Sequence, residues 1–225
     1  MENLKENKDD VASAELYNPA FLKSLSLNVK TVIDVGVRFG TPPLYKAFPD
    51  ADFILVDPQK EAEKILKVAP KKYVFKNVAL GANRGTLILN EASGRSSILE
   101  RTELTSGQIK ARYTVDVITF DDLIDEFNPE GPFGLKIDTE GFEIEVLKGI
   151  KKHSKEIKFI ICEASIKNRF VNGYRFSELI ATLAANGFEL FSVLNIPKRV
   201  SRFYDCLFLQ RDHPLFDGKR ENAQD

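Results

Sequence analysis

Thr31-Val-Ile-Asp34-Val-Gly36-Val-Arg38-Phe-Gly40 is the stretch that decides the fold. Its first five residues are β-branched or apolar except for one acid, the pattern of a strand buried on both faces. Two glycines follow, and then 42–48, an amphipathic stretch with proline near a helix start. Strand, glycine loop and helix in that order open an α/β unit.

The same reading extends outward. Runs at 53–56, 73–80, 134–137, 158–162, 188–194 and 204–209 are rich in β-branched or aromatic residues. Helical patterns lie between them: 59–68 with Ala62, Ile65 and Leu66 on one face, 142–147, and 176–186. The last carries Leu179, Ile180 and Leu183 as its stripe, Ser177 near its start and Gly187 as its stop. Strands alternating with helices imply a mostly parallel sheet with helices on both faces. No helical pattern separates 188–194 from 204–209, so an antiparallel hairpin is expected there. Residues 85–90 and 113–118 alternate like strands with one wet face and read as a β insertion on one edge of the sheet. Thr119 to Asp122, ahead of Leu123 and Ile124, reads as a helix cap.

No Pro/Gly-rich linker divides the 225 residues, which suit one large domain. Residues 1–28 read as a polar tail and short helix, 29–211 as the domain, and 212–225 as a polar end trailing off the core. Lys plus Arg is 32 against 33 Asp plus Glu, without the basic surplus of a nucleic-acid binder. No apolar run approaches the roughly 18 residues of a membrane span. The first seventeen residues lack the apolar core of a signal peptide. Cys162 and Cys206 each sit in an apolar run and read as buried thiols. A cytoplasmic protein with no nucleic-acid partner and no membrane span is expected.

Four buried-looking runs carry or end in an acid: Asp34, Asp57, Asp138 and Glu163. In an open parallel sheet the carboxyl ends of strands line the ligand crevice, and a charge there is costly to desolvate without a partner. Gly36 and Gly40 let the backbone approach a ligand. Asp57, seventeen residues beyond Gly40, is placed to accept both hydroxyls of a ribose. A dinucleotide site wants G-x-G-x-x-G, but Arg38 and Thr41 stand at the second and third glycine positions, and a side chain at 38 would crowd a diphosphate. S-adenosylmethionine, which has no phosphate to cradle, suits D-x-G-x-x-x-G better.

With these motifs in place the chain resembles the FkbM-type S-adenosylmethionine-dependent methyltransferases over about 31–191. The likeness rests on VIDVGVRFG (32–40), FILVDP (53–58), NVALG (77–81) with RGTLIL (84–89), Ser96-Ser97-Ile-Leu, VITFDDLI (117–124), LKIDTEGFEIEVLKG (135–149) and IICEAS (160–165). It implies the Rossmann-like class I methyltransferase fold: a mostly parallel seven-stranded sheet with one antiparallel strand. It also implies methyl transfer to a hydroxyl oxygen, often on a sugar, glycan precursor or secondary metabolite. Carried over by position, the cofactor contacts are Asp34, Gly36, Val37, Arg38, Gly40, Asp57, Pro58, Asn77, Val78, Ala79, Ser97 and Asp138. The family commonly has Asn where Arg38 stands and Glu-Pro where Asp57-Pro58 stands. Arg38 either pairs with the cofactor's carboxylate or blocks the loop.

An aliphatic hydroxyl needs a base or a metal to become a nucleophile. His153, in a lysine-rich stretch, and His213, near the end of the chain, read as structural or solvated. Asp138, Glu163 and Glu140 are therefore the candidate catalytic residues. Asp138 and Glu163, with Glu140, are also a possible Mg²⁺ site. Lys136 shares a strand face with Asp138 and pairs with it or meets substrate. Glu143 and Glu145 suit a helix start through its dipole. Ser96 and Ser97 either donate to a ligand or close a turn, and Arg95, Arg101 and Arg112 are surface charge or contacts for an acidic acceptor. Methylation at nitrogen or carbon, a non-catalytic binding module with the same fold, and a nicotinamide dehydrogenase are the alternatives.

Overall fold

The computed structural model describes residues 17–92, 96–105, 108–195 and 201–218. The strands in chain order are β1 (Thr31–Val35), β2 (Asp52–Val56), β3 (Tyr73–Lys76), β4 (Ala79–Leu80), β5 (Gly85–Ala92), β6 (Ile109–Ile118), β7 (Phe133–Ile137), β8 (Ile157–Ser165), β9 (Phe188–Val193) and β10 (Phe203–Gln210). The α-helices are α1 (Pro19–Ser24), α2 (Pro42–Ala47), α3 (Phe120–Phe127), α4 (Glu143–Lys148) and α5 (Phe176–Ala185).

Seven strands form one sheet in the order β3-β2-β1-β7-β8-β10-β9. β10 runs antiparallel to both of its neighbours, and the other pairs are parallel. Side chains alternate between the two faces. On one face Ile33, Val35, Ile54, Leu135, Ile137 and Ile160 pack against Leu123 of α3, Val146 and Leu147 of α4, and Leu179 and Leu183 of α5. On the other, Val32, Phe53, Leu55, Phe159 and Ile161 meet Leu22 of α1 and Leu44 of α2. β1 and β7 are buried along their whole length, so they can only be central strands. Thr119 closes a reciprocal capping box with Asp122 at the start of α3, as its sequence implies.

Several expectations are corrected. The run 73–80 breaks at Asn77 and Val78, because the Asn77 amide donates to the carbonyls of Asp57 and Gln59 and turns the chain out of the sheet. The insertion is a separate three-stranded sheet, β4-β6-β5, rather than an extension of the main sheet's edge. The stretch 59–68 forms only a 3₁₀ turn, Ala62–Ile65. Glu61 before it is left-handed, and the N–H groups of Lys67 and Val68 donate to Phe39 O instead of a helical ladder. α5, by contrast, starts at Phe176 as expected, with Arg175 as its N-cap and the Glu178 carboxylate accepting from Arg175 N–H at 2.6 Å. The C-terminal end does not trail away over its described part. His213 is buried, its Nδ1 accepts from Leu215 N–H, and Leu215 packs on the α1/α2 face.

Gly134 of β7 faces the ring of Phe159, where an added Cβ would lie 2.4 Å away. Phe159 is fully buried and stacked on Phe48, so Gly134→Ala is expected to destabilise the protein by about 1–3 kcal/mol through overpacking. Urea unfolding should show a lower midpoint with an unchanged slope.

Candidate active site

Sheet order places the acids before any side-chain geometry is considered. Across β2, β1, β7, β8 and β10, the carboxyl-end residues are Asp57, Gly36, Asp138, Glu163 and, running the other way, Asp205. Asp34 is paired directly with Lys136 in the β1–β7 register, and Glu163 lies opposite Asp205 in the β8–β10 register. A cavity of about 310 Å³ opens over this edge, at the lower end of the range for small-molecule sites.

Gly36 and Gly40 shape one side of the cavity. Gly36 has φ +80°, and a Cβ there would lie 1.8 Å from the carbonyl oxygen of Asp138; at Gly40, with φ +99°, it would lie 2.0 Å from that of Val68. Only glycine lets the first loop lie against the end of β7 and under the 59–68 segment. Asp57 fastens the same loop: its Oδ2 accepts from Arg38 N–H at 2.8 Å and its Oδ1 from Gln59 N–H at 2.9 Å. Burial raises the Asp57 carboxyl above its ordinary range, while those two donors pull it back. Arg38, itself left-handed, lays its guanidinium over the Phe39 ring at 4.1 Å.

Lys136 is buried with its Nζ 3.3 Å from Asp34 Oδ1, 3.3 Å from Asp138 Oδ2 and 3.3 Å from Gly36 O. Burial alone would lower its pKa, but Asp34 and Asp138 outweigh that and hold it well above the ordinary lysine value. The pairing with Asp138 expected from strand alternation is present, and Asp34 shares it. The second Asp34 oxygen accepts from the Tyr45 hydroxyl at 2.9 Å.

A second ionic cluster lies beside the first. Arg169 is fully buried and donates through Nη1 to Glu163 and through Nη2 to Glu140, the latter at 2.5 Å. Arg101 also reaches Glu140, at 3.1 Å. The guanidinium of Arg169 sits 4.7 Å from the Phe203 ring centroid and 5.1 Å from that of Phe170. Burial, and then the Asp138 charge, push the Glu163 carboxyl well above the usual range; Arg169 opposes them. Ligand atoms of Asp138, Glu140 and Glu163 all lie within 4.8 Å of one another, close enough to share one cation. Arg169 is already the cation that Glu140 and Glu163 share.

Of the residues expected at the site, Gly36, Val37, Arg38, Gly40, Asp57, Pro58, Val78, Ala79, Ser97, Asp138, Glu140 and Glu163 all line this one cavity. Asp34 and Asn77 do not; they hold Lys136 and the Asp57–Gln59 turn from behind. Ser97 closes a turn: it donates to Glu140 O at 2.7 Å and accepts from Leu99 N–H at 3.0 Å. Ser96 meets Gln59 Oε1 at 3.1 Å. Arg112 meets Asn90 and Glu100, and Arg95 lies outside the described residues. Glu143 stands in the first turn of α4 as expected, and is also a buried strut, its Oε1 accepting from Thr139 N–H, Thr139 Oγ1 and Gly141 N–H at 3.0–3.1 Å. His153 is only 13% exposed and bridges Asp125 and Glu156, which raise its pKa against the effect of burial.

Sequence reasoning missed Arg169, Asp205, Phe203 and Tyr17, all of which line the cavity. One signal for Arg169 was present: four strand-end acids with a single strand lysine left at least one acid needing a cation from a nearby loop. Tyr17 lies ahead of every motif, and its place among the first apolar positions of the N-terminal stretch pointed only to a short helix.

The donor set fits a nucleoside sulfonium. Each Asp57 oxygen keeps a second lone pair beyond its backbone donor, as two ribose hydroxyls require. Five carboxylates line the cavity against three cations (Arg38, Lys136 and Arg169), which suits a positively charged, phosphate-free ligand. The architecture is that of a class I methyltransferase.

Residues 34–190 match the methyltransferase FkbM domain, and the chain belongs to this family. It is an S-adenosylmethionine-dependent methyltransferase. Among solved structures, the magnesium protoporphyrin IX methyltransferase of Synechocystis, crystallised with S-adenosylmethionine, is 11% identical, with 93% of this chain and 86% of that one covered at a TM-score of 0.48. The fibrillarin pre-rRNA processing protein of Methanococcus jannaschii is 10% identical, covering 88% of this chain and 78% of that one at 0.49. An S-adenosylmethionine-dependent methyltransferase of Aquifex aeolicus is 18% identical, covering 90% and 94% at 0.45. No curated protein sequence matches the chain.

Removing the Arg169 charge strands two largely buried carboxylates. Arg169→Leu is expected to cost about 3–5 kcal/mol at neutral pH. The folded-state pKa of Glu163 then rises still further above its unfolded value, so the variant is most stable below the unfolded pKa and loses stability as pH climbs through the folded one. Urea unfolding of both proteins at pH 5 and pH 8 checks this: the gap between them should be wider at pH 8.

Proposed function

We propose that the protein transfers a methyl group to a hydroxyl oxygen of a small molecule or glycan precursor, with Glu163 as the general base. The observation that carries this reading is the buried Glu163–Arg169 pair beside Asp138, on the cavity wall at the end of β8. Bound S-adenosylmethionine supplies an electrophilic methyl on a sulfonium centre. Asp57 accepts the ribose hydroxyls, and Gly36, Val37 and Gly40 let the loop backbone lie along the ligand. Val78 and Ala79 offer apolar surface for the adenine. Asp138, held by Lys136, orients the acceptor hydroxyl, and Glu163 takes its proton as the oxygen attacks.

Burial gives Glu163 the basicity that the step needs, since a general base works best with a pKa near the operating pH. Arg169 and Phe203 fix and shield it, and Arg169 compensates the charge left when the base is ionised. The role of Arg169 between Glu140 and Glu163 supports a base rather than Mg²⁺, so activity should persist in EDTA. The stacking of Arg38 on Phe39 supports a loop that admits the cofactor, against the non-catalytic alternative. No described helix is long and apolar enough to cross a membrane, and the two free, buried thiols suit the cytoplasm as its compartment.

Calorimetric titration with S-adenosylmethionine and S-adenosylhomocysteine is the direct test of the binding half. Asp57→Ala should weaken both by about 10–100-fold, the loss of one or two hydrogen bonds to a charged acceptor; unchanged affinity would remove Asp57 from the ribose site. The base is tested separately. Glu163→Gln should keep the affinity for S-adenosylhomocysteine and lower kcat by about 10²–10⁴-fold. The wild-type rate should rise with pH through a midpoint above the ordinary glutamate value of about 4.3, because only the ionised carboxylate accepts a proton. A Gln variant with full kcat would rule Glu163 out.

A further inference from the structure

Tyr17 precedes the family-matched region, which begins at residue 34, yet it lines the same cavity as Gly36, Lys136, Asp138 and Asp205. Its ring packs in the apolar cluster on the α1/α2 face, and the residue is 5% exposed. Its hydroxyl is shut off from solvent and has no hydrogen-bond partner among the described residues. A buried polar atom without a partner is rare and destabilising, so it needs a reason. The charges acting on this phenol are Lys136 first, then Asp34, Asp205 and Asp138, and all of these except Asp34 line the cavity with it.

We propose that the Tyr17 hydroxyl is a cofactor-binding group, donating its proton to the carboxylate at the amino-acid end of S-adenosylmethionine. The inference rests on the cofactor reading above and extends it to a residue outside the methyltransferase domain. Four main-chain donors of the first loop are already engaged: Gly36 N–H and Val37 N–H go to Val56 O, Arg38 N–H to Asp57 and Gly40 N–H to Val37 O. The Lys136 ammonium is enclosed by Asp34, Asp138 and Gly36 O. Beside these engaged donors, Tyr17 presents a buried neutral donor on the same cavity to a carboxylate arriving at the first loop. The hydroxyl thus trades stability of the free protein for affinity, and the α1 end of the chain becomes part of the cofactor site.

Two ligands separate this contact from a general packing effect. S-adenosylhomocysteine carries the amino-acid end, whereas 5′-methylthioadenosine has the same adenosine and sulfur without it. In the full chain, Tyr17→Phe should bind S-adenosylhomocysteine about 10–100-fold more weakly, the worth of one hydrogen bond to a charged acceptor, and bind 5′-methylthioadenosine as the wild type does. Because Phe keeps the ring and removes only the orphaned hydroxyl, the ligand-free variant should melt at or above the wild-type temperature. Unchanged affinity for S-adenosylhomocysteine would overturn the proposal, as would equal weakening of both ligands. A folded wild type that binds neither would overturn the cofactor reading and this proposal together, an outcome distinct from a failure of Tyr17 alone.

Discussion

Lys136, buried between Asp34 and Asp138, is the interaction on which the rest of the structure depends. Asp34 is completely inaccessible in a central strand, and an isolated charge there would be prohibitive. The β1–β7 register sets Asp34 directly against Lys136, so parallel pairing and charge neutralisation come from the same alignment. Lys136 also reaches Asp138 and the carbonyl of Gly36, and thereby ties the first loop to the end of β7. The close approach of Gly36 to the Asp138 carbonyl is possible only in that arrangement. One cation thus fixes strand register, loop position and the orientation of a cavity carboxylate.

Arg169 performs the parallel task one strand further along the sheet. It arrives from the loop after β8, is enclosed by Phe170 and Phe203, and bridges the acids of two different elements. A guanidinium suits this position better than an ammonium, because its planar fork can meet two carboxylates at once. The division of acids between a strand lysine and a loop arginine leaves Glu163 basic but not isolated. Asp57 stands apart from both clusters, held by backbone N–H groups alone, and so remains an acceptor for a neutral polyol.

The strands of the main sheet were legible because most are buried on both faces and announce themselves as unbroken apolar runs. The reversed β10 was legible from the missing helix between 188–194 and 204–209. Where chain direction is set by a single side chain, the pattern failed. Asn77 breaks an apolar run that hydrophobicity alone would carry through to Leu80, and the amphipathic stretch 59–68 is drawn off its helical ladder by the carbonyl of Phe39. The second sheet was read as strands but misplaced, since alternation reports a wet face without saying which sheet owns the strand.

What the sequence determined by itself was the set of strands, their burial, and the rule that acids at their carboxyl ends must gather on one edge. Most of the expected site residues line one cavity for that reason: strand-end residues of neighbouring parallel strands are neighbours in space. Which acid meets which cation was decided only in three dimensions. Arg169 and Tyr17 lie on segments that carry no motif. They reach the cavity because the segment after β8 returns Arg169 to Glu163 and α1 docks on the face opposite α3, α4 and α5. Desolvation, the force that makes those contacts matter, depends on what surrounds a group after packing, and no linear pattern records it.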